Sequence, residues 1–447
     1  MAKIKQFRDP DLSLWQSAVD QVVARKTSAT RSEDVGGGAA VTRPDNSDSM
    51  VHAAALDLTA ENNKEPLVAP STLPIAVTEG LGDGARFCST VARRLAWAKI
   101  KGDSAQAKLL EEQFEKYGQC DPGWLEVATQ YEKFQLEIKF EKAKVPYRVY
   151  TNIDQFVIDG KLPDGKAKVA IVGDWGTGDD TAKRILKQIA SKKPDVVIHL
   201  GDIYYSCTDF EAQNYFLQIW NSYFPISKQP SFTLSGNHDM FAGGGPYYKL
   251  IDLMGQPASY FCLRNKDWQF VAIDTGLHDR TLGGSDPTYL EDTEVAWLKR
   301  RLDTSDGRKT VLLSHHQLFS AFEDITPGKA VNDKLNGQIG SLLPQVTVWL
   351  CGHEHDCVIY KKQMGILMRC IGHGAFPVAI PADQDPPRTP RHPEILVEDV
   401  NLGDNGGFYN HGYAIMELDG ANGTISYYQE SDESTPQWVD SLGAATQ

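Results

Sequence analysis

Between Val169 and Gln429 the chain repeats one local pattern that leaves few folds open. A short run of Val, Ile and Leu ends, several times over, in a polar cluster containing glycine or histidine. The runs lie at 169–172, 196–200, 232–234, 270–273, 310–313 and 346–351, with later ones at 365–371, 413–419 and 424–429. Runs this short and this continuously apolar read as strands buried on both faces. Segments with helical spacing, such as 179–193 and 292–302, separate several of them, and that alternation predicts an α/β domain. Towards the C-terminus the strands stand closer together with fewer helices, which implies a second sheet packed on the first. The domain is expected over 146–430, with 431–447 as a loose tail.

Ahead of it the texture differs. Residues 11–26 space Leu12, Leu14, Trp15, Val19, Val22 and Val23 like one face of a short helix. From Thr27 to Thr78 the composition turns to Ser, Thr, Asp, Asn, Gly and Pro, the signature of a flexible linker. Residues 1–80 are therefore read as a short helix plus linker. Residues 81–145 are read as a helical segment, punctuated at Gly102-Asp103 and Cys120-Asp121-Pro122-Gly123. This segment is expected to pack on the main domain, on a second copy or on a protein partner, with no catalytic role.

Charge narrows the function. The net charge is −14, and an acidic surface repels phosphate backbones, so nucleic acid and anionic membranes are not the expected partners. A small phosphate ester would need local attraction, which bound metal ions supply. Seven cysteines are scattered without a CxxC pair, the pattern of reduced thiols. The sequence shows neither an apolar run long enough to span a membrane nor a signal peptide, so a cytoplasmic location is the default expectation.

Five polar clusters follow five of the strands: Gly173-Asp174-Trp175-Gly176, Gly201-Asp202-Ile203-Tyr204-Tyr205, Gly236-Asn237-His238-Asp239, Ser314-His315-His316 and Gly352-His353-Glu354-His355. Each alone has a blander role available, as a helix cap, a turn or surface polarity. Ligands of open α/β sheets bind beyond the carboxyl ends of the strands, however, so all five would face one crevice. Carboxylate, amide oxygen, phenol and imidazole together suit iron, zinc or manganese.

In this order the clusters resemble the calcineurin-like metallophosphoesterase superfamily and, within it, the purple acid phosphatase branch. The resemblance runs from about Lys168 to Leu418. It implies a four-layer αββα sandwich, here with a helical N-terminal extension. It also implies a dinuclear hydrolase of phosphate esters, foremost a phosphomonoesterase, with a metal-bridging hydroxide as nucleophile. Carried over by motif, Asp174, Tyr205 and His355 would hold the first metal. Asn237, His315 and His353 would hold the second, and Asp202 would bridge the two. Gly176 stands where most of the superfamily has a histidine, and Tyr205, three residues after Asp202, makes up the ligand. A phenolate there implies Fe(III), with Fe, Zn or Mn at the second site. His238 and His316 are the candidate catalytic residues, facing the leaving group or the phosphate.

The nearest rival reading is a phosphodiesterase on the same centre. A further one is an inactive scaffold that binds a partner through its N-terminal part. Gly243-Gly244-Gly245-Pro246 is expected as a flexible loop and Asp274-Thr275 as a strand-end turn. Gly372-His373-Gly374 is a weak pocket candidate, and His278 and His411 are expected as polar groups near loop ends. The sequence holds no P-loop, dinucleotide fingerprint or nucleophilic serine elbow.

Overall fold

The computed structural model describes residues 144–279, 287–378, 390–398, 402–405 and 408–443, together with Gln130, Lys133, Phe134, Glu137 and Ile138, which are helical. The short helix at 11–26, the linker and the rest of the helical segment over 81–145 lie outside the described residues. Two compact units divide between Lys142 and Ala143, and both sheets and the site they carry belong to the second.

Thirteen strands are described, in two sheets. The six-stranded sheet contains β2 (Lys166–Val172), β3 (Val196–His199), β4 (Ser231–Thr233), β11 (Gly412–Asp419), β12 (Asn422–Gln429) and β13 (Trp438–Ser441), in the order β13-β12-β11-β2-β3-β4. The seven-stranded sheet contains β1 (Val157–Asp159), β5 (Phe261–Arg264), β6 (Trp268–Ala272), β7 (Lys309–Leu313), β8 (Val348–Cys351), β9 (Cys357–Ile359) and β10 (Met368–Ile371), in the order β1-β5-β6-β7-β8-β10-β9. The site-bearing strands pair parallel, β2 with β3, β3 with β4 and β7 with β8. Their carboxyl ends therefore fall together within each sheet.

Side-chain alternation builds the layers. Ala170, Val172 and Val197 pack with Ile185, Leu186, Ile189 and Trp220 from helices over one sheet. Val271, Leu312 and Trp349 pack with Trp297, Leu298 and Leu335 over the other. The intervening residues, including Val169, Ile171, Val311 and Leu313, are fully buried too. Their faces meet across the gap between sheets, where the rings of Phe232 and Phe261 lie 5.1 Å apart. Helices outside and two sheets inside give the αββα arrangement. The helix Asp180–Ser191 forms where the sequence predicts one. Asp179 caps it by accepting the Ala182 N–H at 2.8 Å, and Ala182, Ile185, Leu186 and Ile189 make its buried stripe.

One expectation fails. Residues 431–443 are not a loose tail, because 438–441 form β13, an edge strand antiparallel to β12. It is pinned by Asp440, whose two oxygens accept Arg369 Nε and Nη2 at 2.7 and 2.8 Å. Both side chains are buried. The partner lies on β10 of the other sheet, 71 residues away in sequence, so no local pattern announces it. The five described cysteines are free, buried thiols. No described helix is long and apolar enough to cross a membrane.

Candidate metal centre

The five clusters leave the strand ends in tight turns. Asp174, Asp202 and His353 adopt left-handed backbone, with φ of 55°, 76° and 71°. A residue with a β-carbon gives up roughly 1–2 kcal/mol there, and the surrounding hydrogen bonds offset it. Asp239 does most of this for two turns, its carboxylate accepting the N–H groups of Asp202 at 2.9 Å, Ile203 at 3.2 Å and Gly236 at 2.7 Å. Asp174 Oδ2 accepts the His353 N–H at 2.9 Å, which joins the first turn to the fifth across the two sheets. Gly236 has no substitute, because a β-carbon would lie 2.0 Å from Asp202 Oδ1.

Two groups of donor atoms result. Asp174, Asp202 and His355 each bring a ligand atom within 4.8 Å of the others, and so do His315, His316 and His353. Asp202 joins them, with Oδ1 3.4 Å from His315 Nε2. His315 Nδ1 is taken by the Leu200 carbonyl at 3.0 Å, which leaves Nε2 facing inward. There it stands 3.1 Å from Asn237 Oδ1 and 3.3 Å from His353 Nδ1. A lone pair, an amide oxygen, a carboxylate and a second imidazole converge on one small volume. Acceptors crowded this way require a positive charge among them, as a proton or as a cation.

Ionisation points the same way. Burial would lower the pKa of His315, yet the Asp202 carboxylate holds it up, at about 10. Burial lifts Asp174 well above the ordinary carboxylate range, and the Asp202 charge adds to the lift. Burial opposes ionisation of Asp202 as well, but the charges of His315 and His238 prevail and keep it well below that range. Burial pushes His353 and His355 well down, so both rest as neutral imidazoles, the form that ligates metal. The donor set fits two cations.

Tyr204, the neighbour of the Tyr205 that motif spacing selects, brings its phenol to this centre. Tyr204 Oη lies 3.0 Å from Asp174 Oδ1, 3.1 Å from Asp202 Oδ2 and 2.9 Å from His355 Nε2. The backbone of Tyr205 is anchored on both sides. Its N–H donates to the buried Glu211 carboxylate, and its carbonyl faces His238 Nδ1 at 2.5 Å.

His238 thereby has one ring nitrogen fixed. Its Nε2 is buried without a hydrogen-bond partner, 4.0 Å from Asp202 Oδ2. Although His316 belongs to the second donor group, both its nitrogens are occupied, Nδ1 at 3.1 Å from Thr275 Oγ1 and Nε2 at 3.0 Å from Asp279 Oδ2. Of the adjacent pair, His315 is the one whose Nε2 faces Asn237, His353 and Asp202, the position of a ligand.

Asp279 had no signal in the sequence, since it acts on His316, to which spacing does not relate it, whereas Glu211 could have been found as the acid of the capping box Thr208-Asp209-Phe210-Glu211. The other candidates lie elsewhere in the fold. Gly244 and Gly245 begin the helix Gly245–Met254. His278 contacts Glu291 at 2.9 Å, and His411 contacts Glu430 at 3.0 Å. His373 is buried, with neither ring nitrogen hydrogen-bonded.

The calcineurin-like phosphoesterase family profile matches residues 167–357, which includes all five clusters. Human tartrate-resistant acid phosphatase type 5 is 24% identical over 310 residues, 62% of this chain and 90% of that protein. A probable glycerophosphodiester phosphodiesterase of Arcobacter nitrofigilis is 23% identical over 168 residues, 36% of this chain and 57% of that protein. A purple acid phosphatase from yellow lupin (Lupinus luteus) seeds superposes with a TM-score of 0.44 at 16% identity, over 61% of this chain and about half (53%) of its own. The profile match places a calcineurin-like phosphoesterase domain over residues 167–357 of the chain, and the proteins it resembles include acid phosphatases.

Proposed function

We propose that the chain hydrolyses phosphate esters, monoesters in preference to diesters, at two metal ions held between the ends of its two sheets. The observation that carries this is Asp202, a buried carboxylate that touches both donor groups. Asp174, His355 and the Tyr204 phenol would hold one ion, Asn237, His315 and His353 the other, with Asp202 shared. Such a pair supplies an ionised water near neutral pH and clamps the attacking and leaving oxygens of an in-line displacement. His238, with Nδ1 fixed on the Tyr205 carbonyl, has Nε2 available to hydrogen-bond the phosphate or protonate the leaving oxygen.

The named acid phosphatase relative supports the monoester, and the named diesterase relative makes diesters the rival. Turnover of an aryl phosphate against a bis-aryl phosphate decides between them. At least tenfold higher kcat/KM for the monoester is expected, and dominant diester turnover would reverse the assignment.

A phenolate favours ferric iron, because a hard trivalent cation stabilises the anion. Iron-loaded protein is therefore expected to show a broad visible charge-transfer band. Tyr204→Phe removes it and Tyr205→Phe retains it. The opposite pairing would return the ligand to Tyr205.

A further inference from the structure

Asp274, just beyond β6, reads from sequence as a plain strand-end turn, but its surroundings are unusual for one. It is 1% exposed. Its Oδ1 accepts hydrogen bonds from two different turns, one from the Ser235 hydroxyl and one from the Leu277 N–H at 3.0 Å. Ser235 follows β4 of the six-stranded sheet and stands two residues before Asn237. Leu277 stands two residues before Asp279, whose carboxylate holds His316 Nε2. Between them Thr275 Oγ1 accepts the His316 N–H at 3.0 Å.

The two turns also touch through their backbones. A β-carbon on Gly276 would lie 2.5 Å from the Gly236 carbonyl oxygen and 2.7 Å from that of Ser235. Behind Asp274 the support continues. Its N–H donates to Glu294 Oε1 at 2.7 Å, and Glu294 Oε2 accepts the Tyr147 hydroxyl at 2.8 Å. Burying two carboxyl groups is costly unless they are held by hydrogen bonds, and here the bonds of Asp274 Oδ1 converge on the turn that carries Asn237 and on the turn whose Thr275 and Asp279 hold His316. A carboxylate oxygen can accept from both turns at once, which a methyl or a single donor cannot.

We propose that Asp274 is a positioning residue for the second metal. It locks the Ser235-Gly236-Asn237 turn of one sheet to the Thr275–Asp279 turn of the other, so that Asn237 and the His315-His316 pair keep their spacing. The inference rests on the dinuclear reading, but its readout is metal affinity and does not require turnover. Outer partners of metal ligands typically account for about 10–100-fold in affinity or activity.

The test is Zn²⁺ titration of the full-length apoprotein against a chelator, followed by kcat and KM with an aryl phosphate. Asp274→Ala is expected to weaken the second Zn²⁺ by roughly 10–100-fold and to lower kcat more than it raises KM. The visible band of the iron site should be unchanged. Asp274→Asn, which keeps one acceptor oxygen, falls between the two, and Ser235→Ala moves in the same direction by less. A folded Asp274→Ala protein with wild-type affinity for both ions overturns the proposal. If Asp274→Ala does not fold, Ser235→Ala decides, and unaltered affinity there overturns it equally. Wild-type protein that takes up no metal would instead sink the dinuclear reading itself.

Discussion

Asp202→Asn is expected to lower kcat/KM by more than about 100-fold and to leave purified protein with less than two metal equivalents. The substitution is nearly isosteric, and an asparagine oxygen can still accept the His238 N–H that Asp202 Oδ1 takes at 3.1 Å. It removes charge from a side chain that reaches both donor groups, 3.4 Å from His315 Nε2 on one side and 3.1 Å from Tyr204 Oη on the other. Losing an outer partner of a metal ligand costs about 10–100-fold, and losing a ligand common to two ions must exceed that. The size of the effect separates a bridging ligand from a buried carboxylate that only braces a turn. Metal content and turnover should fall together. Asp202→Asn protein with two bound metals and activity within tenfold of wild type would remove Asp202 from the centre.

Much of this site was legible because strand ends and ligands coincide in sequence. Each of the five clusters follows a β-branched run, and such runs become parallel strands whose ends point one way. The features that escaped did so for physical reasons. Tyr204 and Tyr205 are adjacent, and counting from Asp202 selects the second. The first also reaches the centre, with its hydroxyl beside Asp174 and His355. Strands β1, β5 and β9 have only three or four residues, too few to show a period. Asp274 and Asp279 act on Ser235 and His316, which tertiary packing brings near, and spacing carries no trace of that. Strand β13 has the sequence Trp438-Val439-Asp440-Ser441, with a carboxylate where an apolar side chain would be expected, so a reading by hydropathy discards it.

That carboxylate makes the second large effect calculable. Asp440→Ala is expected to destabilise the domain by about 3–5 kcal/mol, the range for removing one partner of a buried ion pair. The reason lies with Arg369, which stays behind. Its Nη1 is held by the Tyr360 and Met368 carbonyls, so the guanidinium cannot swing out to water, while Nε and Nη2 lose their acceptors. The Tyr427 hydroxyl and Trp438 Nε1, which bond Asp440 at 2.9 and 3.0 Å, lose theirs as well. An exposed pair on the same sheet provides the contrast. Lys166 and Asp419 approach to 3.8 Å with both side chains largely in solvent, and Asp419→Ala should cost less than about 1 kcal/mol. Urea unfolding of the two variants measures both quantities. A difference between them below about 1 kcal/mol would mean that Arg369 finds water or another acceptor, and that β13 is held by its ladder with β12 alone. Replacing both partners, as Arg369→Met with Asp440→Leu, should recover most of the loss. The destabilisation comes from an uncompensated buried charge and not from the absence of an attraction, and an apolar pair of similar volume leaves no such charge.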